Sequence, residues 1–459
     1  MRELARVVSA GKKSKTAARP PGPKGSLIMG VMREFNRDSL DFIERMQREY
    51  GDVVWMRFLY VPALFLYHPD DVEYVLTTNP KNFIKSMSLR SNFFQRLVGN
   101  GLLTSQGEEW KRQRRLSQPA FHRERIATYA NTMIDYTRRL TSSWQDGETR
   151  DMHRDMMRLT LEIVVSCLFS ADVSHDVDDV GATLKELVKP FASQATLGWI
   201  LNNRLPTPYH FRFHALAKKI DQVVYRIIAE RRAGGKDAGD LLSMLLAARD
   251  EDGSQMSDRQ LRDEVITLFL AGHETTALTL AWSWYLLGTH PEVEKKFHGE
   301  LDEVLGGRAP TMADLPQLKY AEQIAKECLR LYPPAYGLGR EAIDDCEIGG
   351  YPVRAGTQVF MFQWATQRDP RFYDDPLAFK PERWTEDFIE RLPKYAYFPF
   401  GGGPRACIGA SFAMMEIILC LATISQQFRL ELVPDHPVTI YPAMSLRPRD
   451  GVKVVVKTR

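Results

Sequence analysis

Residues 400–409 read F-G-G-G-P-R-A-C-I-G and set a thiol at the start of a helix. Three successive glycines and Pro404 hold Arg405 and Cys407 just ahead of an apolar helical run, residues 410–421. Glycine-rich loops before helices often cradle phosphate. Here no G-K-[ST] follows and no strand with G-x-G-x-x-G precedes, so the phosphate-loop readings fail. The positive end of a helix and its free N–H groups stabilise a thiolate. Cys407 is therefore a candidate nucleophile or metal ligand. Cys167 and Cys420 have no such setting and read as small buried apolar residues.

A second segment, Ala271-Gly272-His273-Glu274-Thr275-Thr276, pairs an acid with an alcohol. A zinc protease needs H-E-x-x-H, but Ala277 stands where the second histidine must be. Gly272 costs about 1 kcal/mol against Ala in a helix interior. Thr275 is placed to bond back to the carbonyl of Ala271, which loosens the turn. Small residues and a loosened turn predict a notch in the helix surface. His273 reads as an ordinary polar neighbour.

These groups need rigid elements. The clearest helix starts after Ser257, where Ser257 and Gln260 form an S-x-x-Q capping box. Its apolar pattern runs to Leu287, and His290-Pro291 ends it. About 30 residues at 1.5 Å each is ~45 Å, enough to cross a whole domain. Leu268, Ala271 and Thr275 share one side of it, at i, i+3 and i+7. Residues 115–335 are mostly helical by periodicity. Short β-type runs lie at residues 53–57, 63–67, near Val353, and at 359–362 and 452–456. Residues 231–239, R-R-A-G-G-K-D-A-G, read as a surface loop, and no internal repeat occurs.

The chain has 459 residues, 61 basic and 58 acidic, for a net charge of +3. That excludes a strongly basic nucleic-acid binder and an acidic disordered chain. Length alone suggests about three domains of ~150 residues. Five cysteines, widely spaced and without C-x-x-C, argue against disulfides and zinc and for a reducing compartment. No run of 18 uncharged apolar residues occurs, so no spanning helix is expected. The first 19 residues carry Arg2, Arg6, Lys12, Lys13, Lys15 and Arg19 and lack a signal peptide's apolar run. They read as a disordered basic arm, with a weak membrane-surface tether as the alternative. Pro20, Pro21 and Pro23, with Gly22 and Gly25, mark the start of folded structure.

Phe400, Gly403, Arg405, Cys407 and Gly409 fill all the fixed positions of F-x-x-G-x-R-x-C-x-G. The segment thus resembles the haem-ligand signature of cytochromes P-450, and the resemblance runs from about residue 20 to 456. It implies a mainly α fold with small β-sheets, one large domain over residues 20–459 in place of three. Haem b (iron protoporphyrin IX) would lie between the long central helix and the cysteine-loop helix, with Cys407 as the axial thiolate. Such a ligand favours O–O cleavage. Phe400 would shield the sulfur, Gly403 would let N–H groups turn toward it, and Gly409 would admit the helix close to the porphyrin. Arg405 would fork onto a haem propionate. Trp110 and Arg114 resemble the family's W-x-x-x-R propionate contact, and Arg340, after Tyr332-Pro333-Pro334, occupies another propionate position.

Residues 271–276 resemble the family's oxygen-binding motif, [AG]-G-x-[DE]-T-[TS]. This implies Glu274 and Thr275 as the acid–alcohol pair that delivers protons. Glu327 and Arg330 alone are an ordinary i, i+3 pair. With Arg383 in P-E-R-W, they resemble the family's structural triad.

The implied activity is a haem-thiolate monooxygenase that hydroxylates or epoxidises a hydrophobic substrate. One atom of dioxygen enters the substrate and the other becomes water. Family pocket positions fall on Leu103, Thr267, Leu270, Ala271, Ala335, Tyr336 and Met444, most of them apolar. Residues 101–105 are like those of bacterial fatty-acid hydroxylases and their microsomal-like relatives. Those enzymes hold a carboxylate with an Arg and a Tyr, where a gapless match gives Val61 and Phe65, with Arg57 and Tyr60 nearby. Fatty acid, terpenoid and steroid all stay open.

The chain ends about 50 residues after Cys407, and its other cysteines lack ferredoxin spacing. Electrons are therefore expected from a separate ferredoxin or flavodoxin with an NAD(P)H reductase. Lys111, Arg112 and Arg115 form a basic cluster suited to an acidic donor. A soluble, cytoplasmic monomer without a nucleic-acid partner is expected. Two alternatives remain. A peroxide-driven haem peroxygenase is disfavoured by the intact Glu274–Thr275 pair. A hydrolase with Cys407 as nucleophile has ten histidines to draw on, but nothing positions one as base.

Overall fold

The computed structural model describes residues 19–170, 181, 183, 186, 187, 208–234, 237–249, 253 and 255–459. The expected basic arm, apart from Arg19, lies outside the described residues. The helices that carry or support the site are α1 (Asn92–Val98), α2 (Gly107–Ser117), α3 (Arg123–Thr141), α4 (Met152–Phe169), α5 (Pro208–Gly234), α6 (Asp258–Thr289), α7 (Lys319–Leu331) and α8 (Ala410–Ser425).

Helix α6 is the long helix read from the sequence. Its capping box forms: the Ser257 hydroxyl accepts the Gln260 N–H, and Gln260 Oε1 accepts the Ser257 N–H at 3.0 Å. It stops at His290, ahead of Pro291. Of its 32 residues, 22 are buried, so it has no solvent face and its polar side chains all need partners. Helices α4 and α8 pack on it, and α3 packs on both of those. Gly272 sits where α4 and α6 meet: a Cβ there would come within 3.0 Å of Val164 Cγ2. The Thr160 hydroxyl donates to the His273 carbonyl at 2.9 Å and locks that crossing. One hydrophobic cluster runs from Phe94 to Val456, so the mass forms a single domain and not three.

The main sheet has five strands: β1 (Val53–Phe58), β2 (Val61–Leu66), β3 (Phe83–Lys85), β4 (Leu338–Ala342) and β5 (Gln358–Met361), in the order β1-β2-β5-β4-β3. The antiparallel β3–β4 register sets Lys85 opposite Arg340. A late hairpin pairs β6 (Ile440–Pro442) with β7 (Leu446–Pro448), and Trp282 Nε1 ties α6 to it through the Leu446 carbonyl at 2.9 Å.

One expectation is corrected. Residues 231–234 are the last turn of α5 and not part of a loop. No proline or glycine lies between Pro208 and Gly234 to break the helix earlier, and Arg231 forks onto Asp240 at 2.6 and 2.8 Å, which stabilises that turn. All five cysteines are free, and among the described residues no helix is long and apolar enough to cross a membrane.

Candidate active site

The cysteine loop is built by glycine sterics. Gly403 has φ +64, and a Cβ there would fall 1.8 Å from the Leu76 carbonyl oxygen. Only glycine fits, and the chain then turns through Gly403–Arg405 into Cys407, whose N–H donates to the Phe400 carbonyl at 2.9 Å. Cys407 lies deep in the molecule, and yet its side chain has an open surface, as a group lining an inner cleft does. Burial pushes its thiol pKa up, while the Gly409 N–H and the Arg114 charge pull it down. Arg114 Nη1 also donates to the Ala406 carbonyl at 2.8 Å. The N–H aimed at the sulfur thus comes from Gly409, where the sequence pointed to the turn at Gly403. Room for a Cβ remains at Gly409 itself, whose nearest neighbour would be Phe121 at 3.8 Å.

Cations gather beside this loop without acids. Arg340 and Arg405 repel one another and both act on Lys85. Burial lowers Arg340 to about 10, burial and Arg340 lower Arg405 to about 10, and burial with both arginines drives Lys85 well below its ordinary range. Arg340 donates only to the Gly339 carbonyl and Arg405 only to the Ser105 carbonyl among the described residues. The Arg405 guanidinium also stacks 4.3 Å over the Trp110 ring. Three desolvated cations cost several kcal/mol each unless an anion joins them. The two propionates of haem are such an anion pair, so the residues present fit that group. Lys85 was not read from the sequence, because only the strand register brings it to Arg340.

On α6 the notch is present. Ala271 is exposed in the middle of this buried helix, and the Thr275 hydroxyl donates to its carbonyl at 2.7 Å. Glu274 is buried and anchored through one oxygen. Its Oε1 accepts Arg447 Nη2 at 2.5 Å, Arg447 Nε at 3.0 Å and the Ser445 hydroxyl. Burial raises the Glu274 pKa, but the Arg447 charge and the Ser445 hydroxyl outweigh it and hold the carboxyl below its ordinary value. Ser445 and Arg447 also went unread, because they lie at the start of β7 and reach Glu274 only across the packing of that hairpin on α6. Burial lowers the His273 pKa, and its Nδ1 bonds the Phe269 carbonyl at 3.1 Å, as for a packed neighbour.

The structure brings Glu327, Arg330 and Arg383 together. Arg330 forks onto Glu327 at 2.9 and 2.8 Å, and Arg383 Nε reaches Glu327 Oε1 at 2.9 Å. Trp384 Nε1 and the Lys380 N–H complete the set, each at 3.0 Å. Of the pocket residues, Leu103, Leu270, Ala335 and Tyr336 are partly buried, and Met444 is exposed. Tyr336 turns its hydroxyl to the Ala443 carbonyl at 2.8 Å. Thr267 departs from the expected wall: it is buried, with its hydroxyl on the Val98 carbonyl at 3.4 Å, so its polar atom faces the 98–101 segment. In the basic cluster Lys111 and Arg115 are exposed, and Lys111 pairs with Glu108 at 2.6 Å.

The sequence matches the family described as Cytochrome P450 over residues 20–456. Cyclooctat-9-en-7-ol 5-monooxygenase of Streptomyces melanosporofaciens is 37% identical over 440 residues, 95% of this chain and 95% of that protein. Pentalenene oxygenase of Streptomyces avermitilis is 34% identical over 432 residues, 92% of this chain and 95% of that protein. Among solved structures, the cytochrome P450DA heme domain superposes with a TM-score of 0.86 at 28% identity, covering 96% of this chain and 98% of that one. The chain belongs to the cytochrome P-450 family of monooxygenases, whose haem takes a cysteine thiolate ligand.

Proposed function

We propose that this monooxygenase hydroxylates or epoxidises a cyclic terpenoid, using Cys407 as the haem ligand and electrons from a separate redox protein. The observation that carries the substrate class is the likeness, over nearly the whole chain, to relatives named for oxidising cyclooctat-9-en-7-ol and pentalenene. The hairpin of β1 and β2 supports it. Arg57, close in sequence to the expected channel mouth, turns its Nη2 to the Ser26 and Leu27 carbonyls at 3.0 and 2.7 Å, a placement unlike a carboxylate clamp. Leu103, Leu270, Ala271 and Ala335 suit an apolar guest.

Bound haem supplies oxygen activation at its iron. The chain supplies the rest. Cys407 offers its sulfur, with Gly409 N–H and Arg114 favouring the thiolate. Lys85, Arg340 and Arg405 hold the propionates, with Trp110 stacked under Arg405. Glu274, anchored by Arg447 and Ser445, and the Thr275 hydroxyl serve proton delivery as an acid–alcohol pair, the hydroxyl releasing its own proton into the pocket as it gains one relayed from the acid. Residues 20–459 form the unit that does this. Lys111, Arg112 and Arg115 on α2 dock an acidic electron donor, so turnover falls as salt screens that face.

Titration of the Soret band tests the substrate class. Cyclic terpenes and terpene alcohols are expected to shift it, and fatty acids are not. A shift with fatty acids alone would overturn the assignment.

A further inference from the structure

Four side chains near the start of α6 grip one segment of chain, residues 97–102. Arg262 Nη2 donates to the Leu97 carbonyl at 3.0 Å, and the Thr267 hydroxyl donates to the Val98 carbonyl at 3.4 Å. Asp263 Oδ2 accepts the Asn100 N–H at 2.9 Å, and Glu264 Oε2 accepts the Leu102 N–H at 3.1 Å. The fit is flush. A Cβ on Gly99 (φ +65) would fall 2.0 Å from the Asp263 carboxylate, and one on Gly101 would fall 2.3 Å from Thr267 Oγ1. From the other side, Gln113 Nε2 holds the Asn100 carbonyl at 2.7 Å, and Arg405 holds the Ser105 carbonyl at 3.0 Å. This segment leads directly into Leu103 of the pocket.

Asp263 has Arg262 as a partner at 2.8 Å, and Arg262 in turn bonds Asp221 of α5. Glu264 differs. It is fully buried, and its Oε1 has no hydrogen-bond partner among the described residues. We propose that Glu264 is a positioning residue that fixes the 97–103 wall of the substrate pocket to the central helix, and that it does so as the neutral acid. The wall role rests on the reading of Leu103 as a pocket residue.

Among the described residues a single donor, the Leu102 N–H, reaches this fully buried carboxyl, too little to replace the water that a carboxylate would lose. Burial raises the Glu264 pKa to about 8, helped by Asp263 and Glu109 and opposed by the Leu102 N–H and Arg112. These are the charged neighbours from α6 and α2. The folded pKa lies above the ordinary 4.5, so the folded state holds a proton the unfolded chain has released. Stability from this site is therefore full below about pH 4.5 and declines as pH rises to about 8. Above that, a buried charge beside Asp263 is relieved by admitting water, which parts the segment from α6.

Amide hydrogen exchange of residues 97–105 in the holoenzyme tests this, corrected for intrinsic rates. In the wild-type chain, exchange is expected to quicken between pH 7 and pH 9. Glu264→Gln keeps a carbonyl for Leu102, and its exchange should match wild type at pH 7 without quickening at pH 9. Glu264→Leu should exchange about tenfold faster in this segment. It should also weaken clotrimazole, a bulky azole, about tenfold more than imidazole, which is too small to reach the wall. Unchanged exchange in Glu264→Leu, or a Glu264→Gln chain that still loosens at pH 9, would overturn the anchor. Faster exchange with an unchanged clotrimazole-to-imidazole ratio would overturn the wall role alone. Failure of the haem-site reading would show separately, as loss of both azole spectra with the exchange result intact.

Discussion

Glu327→Ala is expected to abolish accumulation of folded protein. Glu327 and Arg330 are both 0% exposed in their side chains, so neither charge can turn to water. Arg330 is further pinned by the Gln367, Pro376 and Ala378 carbonyls. Removing the carboxylate strands Arg330 and Arg383 and leaves Trp384 Nε1 and the Lys380 N–H without an acceptor. Breaking a buried pair on one side costs about 3–5 kcal/mol, and each orphaned donor adds to that. A domain stable by about 5–15 kcal/mol does not absorb such losses at growth temperature. Arg383→Ala should be milder, because Glu327 keeps Arg330, Trp384 Nε1 and the Lys380 N–H as partners, and Arg383 otherwise holds only the Asp374, Asp375 and Ala378 carbonyls among the described residues. Soluble yield and the urea midpoint measure both. A Glu327→Ala chain within about 1 kcal/mol of wild type would show that the network is not what holds α7.

Thr275→Ala is expected to separate electron use from product. NADPH consumption continues, product falls about 100-fold, at the low end for a positioned proton transfer, and peroxide rises. The Thr275 hydroxyl is bonded to the Ala271 carbonyl, and the preceding residue, Glu274, is anchored by Arg447 and Ser445. Tightly coupled product formation in that variant would contradict the role. Arg447→Met probes the same path from outside. Without Arg447, burial dominates at Glu274 and lifts its pKa above the ordinary 4.5. In wild type the folded value lies below 4.5, so the ion pair stabilises the fold above that pH and is lost as pH falls through the folded pKa. The stability gap between the two chains should shrink as pH falls toward the wild-type folded pKa and level off only above the raised pKa of the variant. Carboxyl infrared bands report Glu274 protonation directly. An unshifted Glu274 titration in Arg447→Met would show that Arg447 does not tune the acid.

Some of the site was legible because it lies in local patterns. The cysteine loop, the helix notch and the E-x-x-R pair are contiguous, and glycine sterics or helical spacing place them. The bounds of α6 follow from Ser257, Gln260 and Pro291, and the structure keeps them. What stayed hidden depends on register between distant strands and helices. Lys85 reaches Arg340 only through the β3–β4 pairing, and Arg447 reaches Glu274 across 173 positions. Thr267 falls on a family pocket position, but its hydroxyl goes to the Val98 carbonyl in the segment that packs flush on α6. Gly272 carries an expected local cost, and its reason, the approach of Val164, appears only in packing. The proline-rich turn and apolar runs could not show that five strands share one sheet.

The most direct test of the account is the carbon-monoxide spectrum of the reduced protein in two variants, Cys407→Ala and Cys420→Ala. Cys420 sits mid-helix in α8, fully buried, with its sulfur 3.3 Å from the Thr137 hydroxyl. Burial and Glu416 push that thiol far up, and no cation favours its thiolate. Cys407 has the Gly409 N–H and Arg114 to favour one. The wild-type chain and Cys420→Ala should both show the strongly red-shifted Soret band of thiolate-ligated haem, and Cys407→Ala should lack it. The band persisting in Cys407→Ala, or vanishing in a folded Cys420→Ala, would contradict the assignment of Cys407 as the ligand.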